Sequence, residues 1–346
     1  MLGVPIMSPA SLKTKLSEWE NGRSGVSEVY QRLFRDIYGL TSAELGFAPG
    51  PDEIDDDTAD LRSRLAVARL VDAGTVELFR TQLEAARRMD RQFGGITLLD
   101  QLRGTLDQIQ VMLAFGARPG QREPLATVLA ETAALAGWEA LDRNAVAQAW
   151  THHERAKAAA REAGSDALLA HATAQQAFIL IDIGDNAEAA DQLAHARALA
   201  ERSSPALLRG WAAAAHGEGL AAVGDRNGAL RAFEAAEAVL PDDPADPALP
   251  YLFLAGAHLE RWRGHALSRL GDAEAITSLS AALPRLPVDF TRARTGLLVD
   301  LAHAHAAAGN RDEALAHARD AKRLARQIKS DRQLRRLAGL VLPGRS

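Results

Sequence analysis

Ala177-Phe178-Ile179-Leu180-Ile181-Asp182-Ile183-Gly184-Asp185-Asn186-Ala187-Glu188-Ala189 is the stretch that decides the fold. An apolar run meets a glycine, a residue that takes the left-handed conformation ending a helix, and an alanine follows five positions later. The same pattern runs from Asn144 to Ala149, from Gly224-Asp225 to Ala229, from Gly271-Asp272 to Ala275 or Ile276, and from Gly309-Asn310 to Ala314. The turn residues are spaced by 40, 40, 47 and 38 positions. A small residue stands seven before each turn (Gly137, Ala177, Gly217, Gly264, Ala302), and an alanine twelve after it in four units (Ala156, Ala196, Ala236, Ala321). The fourth unit slips by one residue. Small residues at these offsets let two helices cross closely, so each unit reads as a helix hairpin and the array as stacked helical repeats.

Composition agrees with an all-α chain. Of 346 residues, 47% are hydrophobic and only 5% aromatic, and there is no cysteine, which removes disulfide, thiol-catalytic and zinc-thiolate chemistry. No apolar run reaches the roughly 18 residues needed to cross a membrane. The N-terminus has neither the basic start nor the apolar core of a signal peptide. The expectation is a soluble, cytoplasmic protein with no membrane partner.

The repeats resemble the tetratricopeptide repeat, whose small-residue positions they match in order, with Pro241 falling where that repeat ends its second helix. Their spacing exceeds that repeat's usual 34 residues, which predicts tetratricopeptide-like hairpins with extended helices and loops. Such solenoids are binding surfaces with no fixed partner. The first helix of each hairpin lines the concave face, and the register places His171, Phe178, Asp182, Trp211, Glu218, His258, Arg261, His265 and Arg269 there as groove candidates for a peptide or protein ligand. Polar side chains would reach a bound backbone and aromatic walls its side chains.

The net charge of −5 is unevenly spread. Residues 48–60 carry six acids and no base, while 319–336 carry eight bases and two acids. Ala48-Pro49-Gly50-Pro51 followed by Asp52, Glu53, Asp55, Asp56 and Asp57 predicts a solvated acidic linker over 48–58. The basic run has Leu324, Ile328, Leu334 and Leu337 as an apolar stripe, which predicts a C-terminal capping helix whose charges form one solvent-facing side.

Ahead of the linker, Leu12, Leu16 and Trp19 share one helical face, and a helix ends at Gly22. The next begins near Ser27 and is expected to bury Val29, Leu33 and Ile37. After Gly39-Leu40, Thr41 and Glu44 form a capping box, with Leu45 and Phe47 closing a small core. Trp19-Glu20-Asn21-Gly22-Arg23, with Gly39-Leu40-Thr41-Ser42-Ala43-Glu44-Leu45 at the matching downstream spacing, resembles the second half of the Cro/repressor-type helix-turn-helix domain of xenobiotic-response-element family regulators. That resemblance covers 3–47. It implies that Ser11, Lys13, Thr14 and Lys15 face the major groove of DNA and that Arg23 lies near phosphate. It also implies two preceding helices, which have no counterpart before Met1-Leu2-Gly3-Val4-Pro5. Met1 is then read as an internal methionine of a longer reading frame, or the gene as shortened with autonomous DNA binding lost; the first is favoured here. Residues 1–47 balance five bases with five acids, a poor charge for binding DNA alone.

Residues 59–120 read as a connector of helices over 59–72, 75–93 and 96–115, with Gly94-Gly95 as the stop between the last two. This stretch resembles the segment joining DNA-binding and repeat domains in regulators of high-GC bacteria.

Other chemistry finds no support. His152-His153 point about 100° apart on a helix and cannot chelate together, and His303 and His305 are likewise split between faces. No metal-site pattern is present, and no cofactor is expected. Gly217-Glu218-Gly219 follows no strand and reads as a packing notch rather than a phosphate loop. No nucleophile-elbow or kinase signature occurs, so an enzyme is not expected.

The sequence therefore predicts a partial helix-turn-helix domain (1–47), an acidic linker (48–58), a helical connector (59–120) and an α-solenoid with a basic cap (121–346). The function it implies is a homodimeric, DNA-binding transcriptional regulator, with the missing helices restored, whose solenoid senses a peptide or small ligand or mediates dimerisation. The alternative is a DNA-independent protein-interaction scaffold.

Overall fold

The computed structural model describes residues 7–48, 51–95, 98–115, 119–241, 246, 248–252, 254 and 257–344, of which 51–57, 119 and 203 are described by backbone alone. Met1 to Pro5, Pro49-Gly50 and the expected helix start at Ile96 lie outside these residues. Every regular element among them is helical, and the chain divides into two compact units, 1–67 and 68–346.

In the first unit, α1 (Pro9–Glu20) begins with Ser8 as N-cap and proline in its first turn, where a missing N–H costs nothing. α2 (Glu28–Tyr38) ends at Gly39 with φ 65°. The expected capping box is present: Thr41 N donates to Glu44 Oε2 (2.9 Å), and Glu44 N donates to Thr41 Oγ1 (3.3 Å). The core differs from expectation. Trp19 packs on Tyr30 and Phe34 (ring centroids 5.2 and 6.2 Å), and Phe34 on Phe47, whereas Val29 and Ile37 are 45% and 70% exposed and Leu33 is half-buried. The i, i+4 pair Tyr30 and Phe34 offers larger apolar faces to α1, so α2 turns that edge inward and leaves the aliphatic one in solvent.

Residues 51–58 were expected as a linker but lie in α3 (Pro51–Arg69), and the division between the units falls inside this helix. Proline is tolerated at the first helical position, and 52–69 contains no glycine or further proline to stop the helix.

In the second unit, α4 (Ala73–Phe93) starts on an Asp72–Thr75 capping box and stops at Gly94 (φ 70°), and α5 (Leu98–Ala114) follows. Five hairpins come next. They are α6 (Pro119–Asp142) with α7 (Val146–Glu162), α8 (Asp166–Ile183) with α9 (Asn186–Ser203), α10 (Ala206–Ala222) with α11 (Arg226–Val239), α12 (Ala257–Arg269) with α13 (Glu274–Ala282), and α14 (Thr291–Ala307) with α15 (Arg311–Gln327). Their turns fall on Asn144, Gly184, Gly224, Gly271 and Gly309, with φ of 58°, 90°, 87°, 70° and 85°. This left-handed geometry is what the repeated Gly/Asn positions predict.

The small residues are where the two helices of a hairpin touch. A Cβ on Gly137, Gly217 or Gly264 would come within 2.6–2.9 Å of His153, Phe233 or Leu279. The alanines five and twelve after the turns are at most 2% exposed, as is Ala275, four after Gly271 in the unit that slips by one. Buried leucines such as Leu106, Leu193, Leu208 and Leu279 fill the layers between, each contributing on the order of 2 kcal/mol. The 47-residue spacing accommodates the connection from α11 to α12, whose Leu249, Leu252 and Leu254 are also buried.

The array does not stay open. α14 packs on α4, and the short last helix α16 (Asp331–Ala338) packs on α6, so the end of the chain returns to the first hairpin and the connector. The basic run 319–336 is accordingly two helices, broken at Lys329 (φ 51°), rather than one. Its charges do not all face solvent. Arg332 and Arg336 turn inward, because acids of the inner face are buried opposite them.

Candidate ligand-binding cavity

Closing the array converts its concave face into a cavity of about 280 Å³ that communicates with solvent. Its wall follows a register along these first helices: positions thirteen, nine and six before the turn. In α6 these are Glu131, Leu135 and Trp138, with Asp142 two before the turn added; in α8, His171, Gln175 and Phe178; in α12, His258, Trp262 and His265. The 4-3 spacing keeps one stripe of each helix on the inside. Gly296 and Asp300 of α14 continue it, and Arg261 stands beside the stripe on α12.

Aromatic rings form a continuous chain on this wall. Trp138 meets Phe178 edge-on (6.4 Å), Phe178 meets Trp262 (6.1 Å), Trp262 meets Trp211 (5.7 Å), Trp211 meets His171 (4.8 Å), and His171 meets Tyr251 (4.5 Å). The guanidinium of Arg87 lies over Tyr251, and that of Arg332 over Trp138.

Charges occupy the remaining wall, most of them paired. Arg332 makes a two-pronged contact to Asp182 (2.5 and 2.8 Å). Arg336 Nη2 donates to Asp300 Oδ1 (2.6 Å), and His265 Nδ1 lies 2.8 Å from the same oxygen. His265 Nε2 is 3.4 Å from Glu218. Arg87 pairs with Glu131 (2.5 Å) and with Glu84. Arg292 donates to both oxygens of Glu139 (2.8 and 2.9 Å), pairs with Asp90, and is 3.7 Å from Asp142. Ser330 Oγ donates to Asp142 (2.6 Å).

Burial and these partners set the protonation. Burial alone would raise Asp300, but His265 and Arg336 hold it well below the usual carboxylate range. Asp182 is likewise pushed up by burial and brought down by Arg332. For Glu218 burial wins over the nearby cations and its pKa rises; Glu139, fully buried, rises further despite Arg292. Burial lowers His171 to about 3 and His258 to about 4, so both rings are neutral at physiological pH.

Of the nine groove candidates, His171, Phe178, Trp211, Glu218, His258, Arg261 and His265 line this cavity together. Asp182 and Arg269 do not. Asp182 is buried beneath Arg332, and Arg269, at the end of α12, is exposed. Sequence reasoning missed Trp138, Tyr251, Trp262, Arg292, Asp300, Arg332 and Arg336. For Trp138, Trp262 and Asp300 the signal was available in the register.

In the first unit, Ser11, Lys13, Thr14 and Arg23 are exposed. Ser11 Oγ is hydrogen-bonded to Ser8 Oγ (2.9 Å), and Thr14 Oγ1 donates to the Ala10 carbonyl (3.2 Å). Lys15 pairs with Glu18 (2.5 Å), which keeps that carboxyl below its ordinary pKa. No helix among the described residues is long and apolar enough to cross a membrane. No protein-family model matches the chain, and no curated protein sequence matches it.

Proposed function

We propose that this chain is a ligand-responsive, DNA-binding transcriptional regulator acting in the cytoplasm. Its tetratricopeptide-like array senses a small ligand, and its first unit is the second half of a Cro/repressor-type helix-turn-helix domain. The observation that carries the sensing role is the cavity, whose wall takes side chains from α4, α6, α8, α10, α12, α14 and α16. An occupant would touch elements distant in sequence at once and so favour one closure of the array over another. Binding rather than catalysis is read from its acids: Asp90, Glu131, Asp142, Glu218 and Asp300 each already face an arginine, a histidine or a serine.

The DNA-reading role rests on α1, which presents Ser11, Lys13 and Thr14 on one exposed stretch. The exposed Val29 and Ile37 of α2 suit self-association, in keeping with a homodimer that reads two half-sites. The test is selection of bound sequences from a random DNA pool, run on this chain and on a form extended upstream of Met1. Enrichment of a palindrome that weakens with salt and with Lys13→Ala plus Lys15→Ala supports the reading. The balanced charge of 1–47 and the Lys15–Glu18 pair favour a second reading, a DNA-independent interaction scaffold. Failure of both forms to enrich any sequence would leave that one.

A further inference from the structure

We propose that the cavity binds a small aryl carboxylate, its anionic head on Arg261 and its ring against Trp211 and Trp262. This rests on the reading of the array as a ligand sensor and names the class of ligand.

Arg261 differs from the other cavity arginines, of which Arg91 lies over the Phe290 ring. Arg87, Arg292, Arg332 and Arg336 each hold a carboxylate within hydrogen-bonding distance. Among the described residues Arg261 has neither a hydrogen bond nor an ion pair, and its Nε is buried without an acceptor. A partly buried guanidinium that feels Glu218 and Asp300 only through space, with no acceptor in hydrogen-bonding distance, is incompletely satisfied, and an arriving carboxylate offers it the planar, two-oxygen partner it is shaped for.

The charge should be single. Glu218 and Asp300 are the acids that act on Arg261 through space, and they would repel a second negative charge. A phosphate dianion is therefore a poorer match than a carboxylate.

The body of the ligand follows from the wall beside Arg261. Trp262 is its neighbour on α12, Trp211 stands 5.7 Å from Trp262 ring to ring, and both line the cavity. Flat rings crossing at 61° accept another ring edge-on or offset. A volume of about 280 Å³ lies just under the roughly 300–1,000 Å³ typical of ligand pockets, which suits a one- or two-ring molecule rather than an extended peptide. An aromatic enclosure can also attract a cation, but here Arg87 and Arg332 already cover the faces of Tyr251 and Trp138.

The experiment is calorimetric titration of the full chain with phenylacetate and indole-3-acetate at millimolar concentration. The neutral phenylacetamide, the cationic phenethylamine and inorganic phosphate are run in parallel. At least one carboxylate should bind about tenfold or more tightly than phenylacetamide, the usual margin for a hydrogen bond to a charged group. Arg261→Gln should remove that margin, Arg261→Lys should keep part of it, and Arg263→Gln, altered outside the cavity, should keep all of it. Should Arg261→Gln fail to fold, Arg261→Lys carries the test, with weakened carboxylate binding and unchanged amide binding expected.

Equal binding of acid and amide, tighter binding of the amine or of phosphate, or full binding by Arg261→Gln overturns the proposal while leaving a ligand-sensing cavity. Binding by none of the probes overturns this inference, since the cavity then accepts neither an aryl ring nor a small anion. Carboxylate binding through Arg261 without any DNA selection leaves this inference standing and removes the regulatory role.

Discussion

Arg332 of the last helix grips Asp182 of the second hairpin with two hydrogen bonds, Nε to Oδ2 at 2.5 Å and Nη2 to Oδ1 at 2.8 Å, across 150 residues of sequence. Both side chains are nearly buried, at 13% and 8% exposure. Removing one partner leaves the other charged and out of water. Arg332→Ala should cost about 3 kcal/mol or more in urea unfolding, while Arg332→Leu combined with Asp182→Leu should recover part of that loss. A loss under 1 kcal/mol in Arg332→Ala would show that the pair is solvated and that the closure does not depend on it.

Gly264 and Gly104 are both helical glycines, and they should respond in opposite directions. A Cβ at Gly264 would stand 2.6 Å from Leu279, which is itself fully buried, whereas one at Gly104 meets nothing within 4 Å among the described residues. Gly264→Ala should destabilise by about 1–3 kcal/mol, outweighing its gain in helix propensity. Gly104→Ala should stabilise by up to about 1 kcal/mol. Thermal unfolding of the two variants beside the parent decides the matter, and stabilisation by both would mean that the hairpin contact at Gly264 is loose.

Lys329 holds φ 51° at the break between α15 and α16, a conformation that costs a residue with a Cβ roughly 1–2 kcal/mol. Lys329→Gly should therefore raise stability by up to about 1 kcal/mol, even though glycine usually lowers it. A fall in midpoint denaturant concentration would count against the left-handed break.

Acid should weaken the protein before its ordinary carboxylates titrate. Burial holds His153 and His171 near a pKa of about 3, and among the described residues His153 has no hydrogen-bond partner at either ring nitrogen. An unfolded chain protonates its histidines near 6.5. It therefore takes up protons first as pH falls, and the stability present above about 6.5 is lost progressively toward 3. By pH 5 the loss is on the order of 2 kcal/mol for each histidine. The raised Glu218 and Glu139 act in the opposite sense and offset part of it. Melting at pH 7 and pH 5 should show a smaller drop for His171→Gln than for the parent; equal drops would assign the acid sensitivity to other groups.

The hairpins were legible because their determinants are local. A glycine or asparagine must adopt positive φ at each turn, and an alanine must sit where helices cross, so five turns and their contacts can be read from spacing. The inner stripe was legible in part. His171, Trp211 and His258 fall thirteen before their turns and Phe178, Glu218 and His265 six before, while Trp262 and Asp300, nine before, belong to the same stripe and were passed over. What periodicity does not encode is which distant charges meet. Arg332 and Arg336 carry the same helical signature as solvated arginines, and only the return of α16 to the inner face brings them to Asp182 and Asp300. Tyr251 sits in a connection with no period at all. In α2, Val29 and Ile37 have the spacing of a buried face, and the bulk of Tyr30 and Phe34 decided otherwise.

Repeat arrays with free ends ordinarily fray, each hairpin held only by its neighbours. Here Arg292 of the last hairpin is tied to Asp90 of α4 and Glu139 of α6, and Ser330 to Asp142, so the final unit has neighbours at both ends of the chain of repeats. Topologically the spring has become a hoop. A disturbance at any hairpin then has two routes around the molecule, and the loss of one joint is felt by every other, which gives a one-dimensional stack the all-or-none behaviour of a globular core.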